Sequence, residues 1–378
     1  MRVTHLGLTD FRNYEQLDLE LDAATNVLVG PNGQGKTNVV EAVAYLATFG
    51  SHRVATDTAL VRAGCDRAVI RSTVVQGERS IGLDVQINPG RANRLQVNRT
   101  PVKRTRDAIG IVRAVMFAPE DLSLVKGDPA ARRRFLDQLL VQLTPRYAGV
   151  IGDYDKTLKQ RNSLLRSAAK ATSAAERDSL RSTLDVWNDR LVEFGSDLMA
   201  GRVALLTSLA PPAAEAYAQV AAQRNEIELE YVPARLPAGI TTREQFAGGL
   251  REALEAVRAE EFARAVTVLG PHRDEIDLTL NGLPARGYAS HGESWSLALT
   301  LRLASYDILR DQTAGDPILI LDDVFAELDV QRRSRLAEVA AATQGQVLIT
   351  AAVSGDVPDQ VRGVRFSIDQ GSIGRSEA

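Results

Sequence analysis

One eight-residue segment combines glycines, a lysine and a threonine in a spacing that suits phosphate binding. Residues 30–37 fit the pattern G-x4-G-K-[ST] and form what we call the phosphate loop. Its glycines let consecutive backbone N–H groups wrap an anion, Lys36 can reach the β- and γ-phosphate oxygens, and the Thr37 hydroxyl can bind Mg²⁺. The pattern therefore predicts a nucleotide site formed by Gly30, Pro31, Asn32, Gly33, Gln34, Gly35, Lys36 and Thr37.

A second segment places two acids at the end of an apolar run. Residues 318–321 are Ile-Leu-Ile-Leu, and Asp322 and Asp323 follow them. Asp322 suits Mg²⁺ binding through water, and Asp323 suits polarisation of the water that attacks a phosphate. A strand-end aspartate can also simply cap the next helix. Beside a phosphate loop, however, the pair predicts Asp323 and Lys36 as catalytic groups and Thr37 and Asp322 as the magnesium site.

A third segment, the signature segment (residues 290–293), lies about thirty residues before this strand. Its Ser290, Gly292 and Glu293 stand at the start of a helix that the pattern predicts from about 293 to 310. A helix start presents free N–H groups to an anion, and the serine adds a hydroxyl. A simple N-capped helix explains the same residues. Residues 327–329 follow the acid-tipped strand in the position of a dimer-contact loop.

The elements around these segments alternate in type along the chain. Short strands fill the first thirty residues, a helix follows the phosphate loop, and residues 67–103 read as a β-meander. Helices dominate from 129 to about 265. A 4-3-4-3-4 apolar spacing from Leu180 to Leu198 and an upstream stripe over 151–165 predict a short antiparallel helical hairpin with its turn in 167–176. Strands and helices alternate again from Ile276.

This order predicts an α/β fold of two lobes. Lobe I is expected to combine residues 1–125 and 267–378 into a head with a mixed P-loop sheet and an antiparallel meander. Lobe II is expected to be the helical insert 126–266, which contains the hairpin. The length of 378 residues fits two such units.

Composition narrows the class of protein further. Hydrophobic residues make up 44% and charged residues 25%, which is ordinary globular composition. The single cysteine excludes a disulfide framework, and four scattered histidines leave no zinc-type cluster. Without an apolar leader or an apolar run of membrane-spanning length, we expect a cytoplasmic protein with no membrane contact. The net charge of −3 gives no global attraction to nucleic acid.

Any DNA contact must then come from local basic patches. Arg132, Arg133 and Arg134 lie near a predicted helix start, where cations oppose the helix dipole, so an anionic partner is favoured. A second run lies in the meander, with a solvated hairpin as the alternative; its candidates are Arg91, Arg94, Lys103 and Arg104. His272 and Arg273 could bind DNA or nucleotide, or belong to an internal hydrogen-bonded turn.

The motifs together resemble the RecF family, among the ABC-type ATPases of chromosome maintenance and repair. They occur in family order and cover essentially the whole chain. Besides the phosphate loop, the signature segment and residues 321–329, the hallmarks are Leu6-x-Leu8-x-x-Phe11-Arg12-Asn13-Tyr14, Phe117-Ala118-Pro119-Glu120-Asp121-Leu122, Arg132-Arg133-Arg134-Phe135-Leu136-Asp137 and Gly270-Pro271-His272-Arg273-Asp274.

The resemblance implies an ATPase head that binds ATP and Mg²⁺, forms a homodimer when ATP binds, and hydrolyses it slowly. It also implies DNA binding at gaps or single-strand/double-strand junctions, and cooperation with RecR and RecO in loading RecA. Arg12, Asn13 and Asn38 join the expected nucleotide-binding residues. Ser290, Gly292 and Glu293 are expected to act on the nucleotide of the partner chain.

One departure from the pattern concerns the magnesium shell. Many ABC ATPases place a glutamine between the phosphate loop and the helical lobe, whereas this chain has Pro119, Glu120 and Asp121 there. Two other functions stay in view: a nucleotide-binding DNA scaffold without significant hydrolysis, and a transporter ATPase subunit. Transporter subunits place the two motifs much closer than the 260 residues between Gly30 and Ser290.

Overall fold

A computed structural model describes residues 1–54, 56–171, 173–221, 225–312, 315–369 and 371–376. The chain divides into two compact units. Unit 1 comprises Met1–Val125, Pro212–Asn225 and Ala289–Ala378, and unit 2 comprises Lys126–Pro211 and Glu226–Tyr288. Within the described residues, no helix combines the length and the apolar character that crossing a membrane requires.

The described residues contain fifteen strands. They are β1 (Arg2–Phe11), β2 (Tyr14–Glu20), β3 (Thr25–Val29), β4 (Ala68–Gln76), β5 (Arg79–Ile87), β6 (Arg94–Val97), β7 (Thr100–Val102), β8 (Ala114–Phe117), β9 (Ile227–Val232), β10 (Glu275–Leu280), β11 (Leu283–Pro284), β12 (Ile318–Asp322), β13 (Val347–Ala351), β14 (Val364–Asp369) and β15 (Ser372–Ser376).

Most of the helices lie between residues 122 and 342. They are α1 (Lys36–Thr48), α2 (Leu122–Lys126), α3 (Pro129–Leu143), α4 (Tyr147–Lys170), α5 (Ala174–Ala221), α6 (Arg243–Ala256), α7 (Arg258–Arg264), the short turn α8 (Ala285–Tyr288), α9 (His291–Gln312), α10 (Val324–Glu327) and α11 (Val330–Ala342). Short 3₁₀ turns occur at Asp57–Leu60, Thr105–Ala108, Pro119–Asp121 and Ser354–Asp356.

Unit 1 contains an antiparallel sheet in the order β2-β1-β4-β5-β6-β7. Its strands alternate buried and accessible residues, as a sheet with one face on the core must. Leu83, Val85 and Ile87 on β5, for example, belong to the unit's apolar core. This sheet contains the predicted meander.

The second sheet of unit 1 is mixed, in the order β15-β14-β3-β13-β12-β8. All neighbouring pairs are parallel except β14–β15. The strands β8, β12 and β13 are apolar along most of their length because both of their faces are buried, and Ile318, Leu319, Ile320 and Leu321 have no exposed surface. Parallel pairing brings the carboxyl ends of β3, β8, β12 and β13 to one edge, which positions the site described below.

Unit 2 contains the helical pair α4 and α5. Arg146 pairs with Asp197 and Arg161 with Asn188, so the two helices run antiparallel. The predicted seam is buried at Leu184, at Leu191 and at Leu198. The helix α5 has 48 residues and extends well beyond this seam. The predicted turn includes residue 172, which lies outside the described residues.

The division of the chain differs from the predicted lobes at two places. Residues 267–288, predicted in lobe I, lie in unit 2, because β10 pairs antiparallel with β9 from Glu275↔Val232 to Leu280↔Ile227. The strand β9 itself lies in a stretch that was predicted to be helical. Conversely, the last part of α5, from Pro212, belongs to unit 1.

Candidate functional site

The phosphate loop connects β3 to α1 and depends on glycine for its shape. Gly33 and Gly35 have φ values of +81° and +112°, a region that favours glycine. A Cβ atom on Gly35 would lie 2.6 Å from the Tyr14 hydroxyl, and one on Gly30 would collide with the Ile368 carbonyl oxygen. Around Gly33, by contrast, no atom of the described residues lies within 4 Å of such a Cβ. The loop is thus packed on one side and open at Gly33.

The side chain of Lys36 folds back over this loop. Its Nζ donates to the carbonyl oxygens of Gly30 at 2.8 Å and Pro31 at 3.1 Å, and lies 3.4 Å from Asn32 Oδ1. Only 3% of Lys36 is exposed. The ammonium group is therefore held against the loop whose backbone and helix start suit a phosphate.

Asp322 connects the phosphate loop to the acid-tipped strand. Its Oδ1 accepts hydrogen bonds from the Thr37 hydroxyl at 3.0 Å and from the Thr350 hydroxyl at 2.6 Å. Thr350 Oγ1 in turn accepts from the backbone N–H of Asp323 at 2.9 Å. Burial, reinforced by the charges of Asp323 and Glu120, raises the pKa of Asp322 to about 6 against the two hydroxyl hydrogen bonds. The threonine hydroxyl and the carboxylates are oxygen donors of the kind that Mg²⁺ prefers, so these residues fit the ion.

Two of these features were not predicted from the sequence. Thr350 faces Asp322 in the parallel register of β12 and β13, and its only signal was a polar residue at the end of an apolar strand. Asp323 lies in the left-handed region with φ of 50°, at the turn into α10. The helix α10 begins directly after the two acids.

Arg12 lies next to α1 and is bound by a buried carboxylate. Its Nε and Nη2 donate to Glu41 at 2.8 and 2.6 Å, and Ser51 donates to the same carboxylate at 2.5 Å. Burial alone would raise the pKa of Glu41, but the bonds from Arg12 and Ser51 hold it below its usual value. The sequence gives no signal for this role of Glu41, because its partner Arg12 is 29 residues away.

Asn13 and Asn38 brace the phosphate loop. The Asn13 side-chain amide donates to the Gln34 carbonyl oxygen at 3.2 Å, and Asn38 donates to Asn13 Oδ1 at 2.7 Å. The structure therefore brings the predicted residues at 12, 13 and 38 together beside the loop.

The signature segment forms a reciprocal capping box at the start of α9. The Ser290 N–H donates to Glu293 Oε2 at 2.8 Å, and the Glu293 N–H donates to Ser290 Oγ at 3.3 Å. A Cβ on Gly292 would lie 3.1 Å from Arg332 Nη2, and Arg332 also pairs with Asp329. Across the described part of the chain, neither Ser290 nor Glu293 hydrogen-bonds to the phosphate loop of its own chain.

Arg132 does not form the accessible anion site that was predicted. It is 6% exposed, and its Nε and Nη2 bind Glu275 at 2.8 and 2.7 Å in a bidentate pair. Its Nη1 donates to the Gly127 carbonyl oxygen at 3.1 Å. The unfavourable position at a helix start is compensated within unit 2, so an Arg132→Ala variant would disrupt an ion pair instead of testing DNA contact.

The two neighbouring arginines differ from Arg132 and from each other. Arg133 donates to the Asp274 carbonyl oxygen at 2.6 Å, and burial lowers its pKa. Arg134 is exposed. The three do not share one accessible face, so they do not form one accessible basic patch.

The meander candidates are exposed. Arg91, Arg94, Lys103 and Arg104 all present their side chains to solvent. A surface cavity of about 510 Å³ opens next to the β5–β6 turn, lined by Asp66, Arg67, Gln86, Asn88, Pro89, Arg91, Ala92 and Arg94. This end of the antiparallel sheet offers accessible positive charge in unit 1.

His272 belongs to an internal turn. Its Nδ1 lies 2.7 Å from the Tyr154 hydroxyl, and Gly270 has a φ of +109°. Burial lowers the pKa of His272 to about 4. Asp274, which has no exposed surface, accepts a hydrogen bond from the Ala234 N–H at 2.7 Å. Of the two alternatives for His272, the structure favours the hydrogen-bonded turn.

Comparison with known proteins gives concordant results. The family model for the RecF/RecN/SMC N-terminal domain matches residues 2–370. The chain is 53% identical over 380 residues to the DNA replication and repair protein RecF of Frankia alni, with 100% of both chains covered. A solved structure of the recombination mediator protein RecF with ATP, from the RecFOR pathway, matches with a TM-score of 0.89 at 25% identity. That match covers 99% of this chain and 97% of the other.

A more distant likeness concerns the fold alone. The Smc head domain of Pyrococcus furiosus, solved with an extended coiled coil and the C-terminal domain of ScpA, matches with a TM-score of 0.52 at 13% identity. It covers 99% of this chain and 95% of that one. The two structural matches confirm the predicted α/β head of the ABC type.

Proposed function

The chain belongs to the RecF family of DNA replication and repair proteins, and we propose that it is an ATP-dependent DNA-binding protein of recombinational repair in the cytoplasm. ATP binding joins two copies on DNA at gaps or single-strand/double-strand junctions, and slow hydrolysis releases them. With RecO and RecR the dimer helps to load RecA, and so supports replication restart and the SOS response. The observation that carries this proposal is the convergence of Lys36, Thr37 and Asp322 at one sheet edge.

In this proposal the nucleotide lies on the phosphate loop. Backbone N–H groups and Lys36 hold its phosphates, and Arg12 and Asn13 in the β1–β2 turn lie beside the loop with Asn38 of α1. Thr37 and Asp322 hold the Mg²⁺, which supplies neutralisation of phosphate charge when it is bound. The pairing of Thr37 Oγ1 with Asp322 Oδ1 at 3.0 Å supports this assignment because the ion needs both oxygens close together.

Asp323 is the proposed group that orients and polarises water for hydrolysis. Its backbone N–H is fixed by Thr350 at 2.9 Å, and the turn that follows holds the residue at the end of the sheet. The carboxylate is one methylene shorter than a glutamate, which is consistent with slow turnover.

The signature segment is proposed to act on the partner's nucleotide. Ser290 is exposed, and its hydroxyl oxygen accepts a hydrogen bond from the N–H of Glu293 at 3.3 Å. Gly292 leaves the start of α9 without a side chain. A helix start with an exposed hydroxyl and backbone N–H groups suits a phosphate presented by a second copy of the chain. The dimer would then have two composite sites related by a two-fold axis.

Phosphate release tests the overall proposal. We expect slow ATP hydrolysis that gapped DNA accelerates, because DNA binding and dimerisation both favour the ATP-bound dimer. The measurement is released phosphate over time with and without gapped DNA. Absence of release in both conditions, with ATP binding intact, would instead identify a nucleotide-binding scaffold.

DNA is proposed to contact the exposed basic residues of the meander in unit 1. An acidic protein must concentrate its positive charge to bind DNA, since phosphate contacts supply most of the affinity. In a two-fold dimer this patch occurs twice. The contacts would come from Arg91, Arg94, Lys103 and Arg104.

The double variant Arg91→Gln/Arg94→Gln is expected to bind duplex DNA more weakly in the presence of ATP. Each lost phosphate contact should reduce the slope of log affinity against log salt by about 0.9. The measurement is DNA affinity over a range of salt concentrations. The matched control, Arg243→Gln/Arg251→Gln, removes two exposed arginines from α6 in unit 2 and should leave the slope unchanged. Identical slopes for the two double variants would exclude this surface.

A further inference from the structure

A second cavity, of about 600 Å³, opens within unit 1 at the edge of the mixed sheet opposite to the nucleotide site. Its lining includes Asp316, two residues before β12, and Gln344, three residues before β13. Thr37 and Asp322 lie at the carboxyl end of β12 instead. The last part of α5 and the helices α9 and α11 supply most of the other lining residues. The cavity has the volume of a small-molecule site.

The charged residues of this cavity are mostly acids. Glu215, Asp307 and Asp316 line it, and among the described lining residues Arg310 is the only basic one. Arg310 already pairs with Asp307 at 3.1 Å and with Asp311 at 3.0 Å. The carboxylates of Glu215 and Asp316 form no hydrogen bond or ion pair within the described residues. Two carboxylates are therefore available to a cation that enters the cavity.

Tyr306 adds a buried hydroxyl to the same cavity. The residue is only 4% exposed, and its hydroxyl forms no hydrogen bond of normal geometry among the described residues. The neighbouring Thr343 hydroxyl donates its proton to the Val339 carbonyl oxygen at 2.9 Å. A Cβ on Gly345 would lie 2.8 Å from Asp316 Cβ and 3.5 Å from the Tyr306 hydroxyl, so these two side chains approach the same point. A buried hydroxyl without a partner costs free energy, which a ligand that bonds to it recovers.

The spacing of the acids favours an extended cation over a single metal ion. Among the described residues, only His5, Asp18 and Glu20 bring three potential metal ligands within 4.8 Å of one another. The acids of the cavity do not surround one compact ion in this way, although a metal ion needs its oxygen ligands close together. Leu303 and Val339 also line the cavity and offer apolar surface to a hydrocarbon chain.

We propose that this cavity binds a linear aliphatic polyamine, with ammonium groups paired to Glu215 and Asp316 and with the Tyr306 hydroxyl accepting a hydrogen bond from one of them. Alkylammonium groups stay protonated at neutral pH, so such a ligand carries one charge for each carboxylate. The methylene groups between the charges pack on Leu303 and Val339. The site is separate from the proposed ATP site, so its occupancy does not require nucleotide.

The experiment measures spermidine binding to the full chain by calorimetry at low salt, without nucleotide or DNA because both bind polyamines themselves. Tyr306→Phe removes only the hydroxyl and is expected to weaken binding about tenfold, as loss of a hydrogen bond to a charged group does. Glu215→Gln/Asp316→Asn is expected to weaken it about fivefold, since two accessible charge pairs are lost. The matched control Glu78→Gln neutralises an exposed acid in the β4–β5 turn and should bind like wild type.

Thermal unfolding separates a ligand contact from a structural role. Without spermidine, Tyr306→Phe should unfold at the same temperature as wild type or higher, because its hydroxyl has no partner to lose. With spermidine, the unfolding temperature of wild type should rise more than that of the variant. A lower unfolding temperature of Tyr306→Phe without spermidine would assign the hydroxyl a structural role and overturn its part in the site.

Three binding results would overturn the proposal. The first is no spermidine binding by wild type, or wild-type affinity in Tyr306→Phe. The second is an equal loss of affinity in Glu78→Gln and in the double variant, which indicates general attraction of a polycation to acidic surface. The third is full displacement of spermidine by an equal concentration of Mg²⁺, which identifies a site for simple ions.

Discussion

Replacement of Lys36 by alanine is expected to lower the affinity for ATP by about 30-fold or more. The Lys36 ammonium lies over the phosphate loop, donating to the carbonyl oxygens of Gly30 and Pro31, and is nearly buried. Truncating one partner of such a buried charge contact costs about 2–5 kcal/mol, and each 1.4 kcal/mol is about a factor of ten in affinity. The measurement is equilibrium binding of ATP with Mg²⁺ present.

Two controls separate this effect from unfolding. Lys36→Met keeps the apolar stem of the side chain and should fail to bind ATP in the same way. Lys126→Ala removes an exposed lysine at the end of α2 and should bind ATP like wild type. Thermal unfolding without nucleotide should be similar for all three. Unchanged ATP affinity in Lys36→Ala would mean that the nucleotide does not lie on this loop.

Replacement of Ser290 by tryptophan is expected to abolish ATP-dependent dimerisation while each monomer still binds ATP. Ser290 is exposed at the start of α9, with no bond to the phosphate loop of its own chain in the described residues. A bulky side chain there would block the approach of a partner's phosphates without touching Lys36 or Asp322. Light scattering with ATP should report a monomeric mass where wild type gives a dimer.

The serine is also a helix cap, so a smaller variant is needed beside it. Ser290→Ala loses the cap, which costs about 1 kcal/mol of stability, but adds no bulk. We expect it to dimerise more weakly than wild type and more strongly than Ser290→Trp. Loss of ATP binding by monomeric Ser290→Trp would show that the signature segment acts within its own chain.

The phosphate loop and the acid-tipped strand could be predicted because their signals are local. Residues 30–37 carry their glycines and lysine within one turn, and residues 318–321 are uniformly apolar before two acids. The contacts between these two segments in the folded chain could not be predicted in detail. The Thr37–Asp322 hydrogen bond joins residues 285 positions apart, and the threonine at 350 reaches Asp322 only through the register of β12 and β13.

The basic cluster at 132–134 shows that cations at a helix start do not by themselves predict an accessible anion site. Three cations at a helix start do oppose the helix dipole, and that inference favoured an anion. The anion that Arg132 binds is Glu275, 143 residues away in the same unit. A single sequence gives no indication of such a pair. The basic residues of the meander, by contrast, lie in or beside short hairpins, and their side chains are exposed.

The boundary of the second unit was misplaced for a similar reason. The strand β9 is six residues long and lies after a long helical stretch, so its short alternation is a weak signal in the sequence. Its partner β10 then appeared to begin the return to the first lobe. The antiparallel pairing of β10 with β9, which includes Glu275 opposite Val232, places both strands in unit 2.

Mixing two inactive variants tests the composite site most directly. Lys36→Ala should lack nucleotide but retain an intact signature segment, and Ser290→Trp should bind ATP but present a blocked one. A mixed dimer would therefore contain one working site, formed by the nucleotide of Ser290→Trp and the Ser290 of Lys36→Ala. We expect an affinity-tagged Lys36→Ala chain to retain Ser290→Trp only when ATP is present, while neither variant retains itself. Failure of the mixture to associate with ATP would contradict an ATP site shared between two chains.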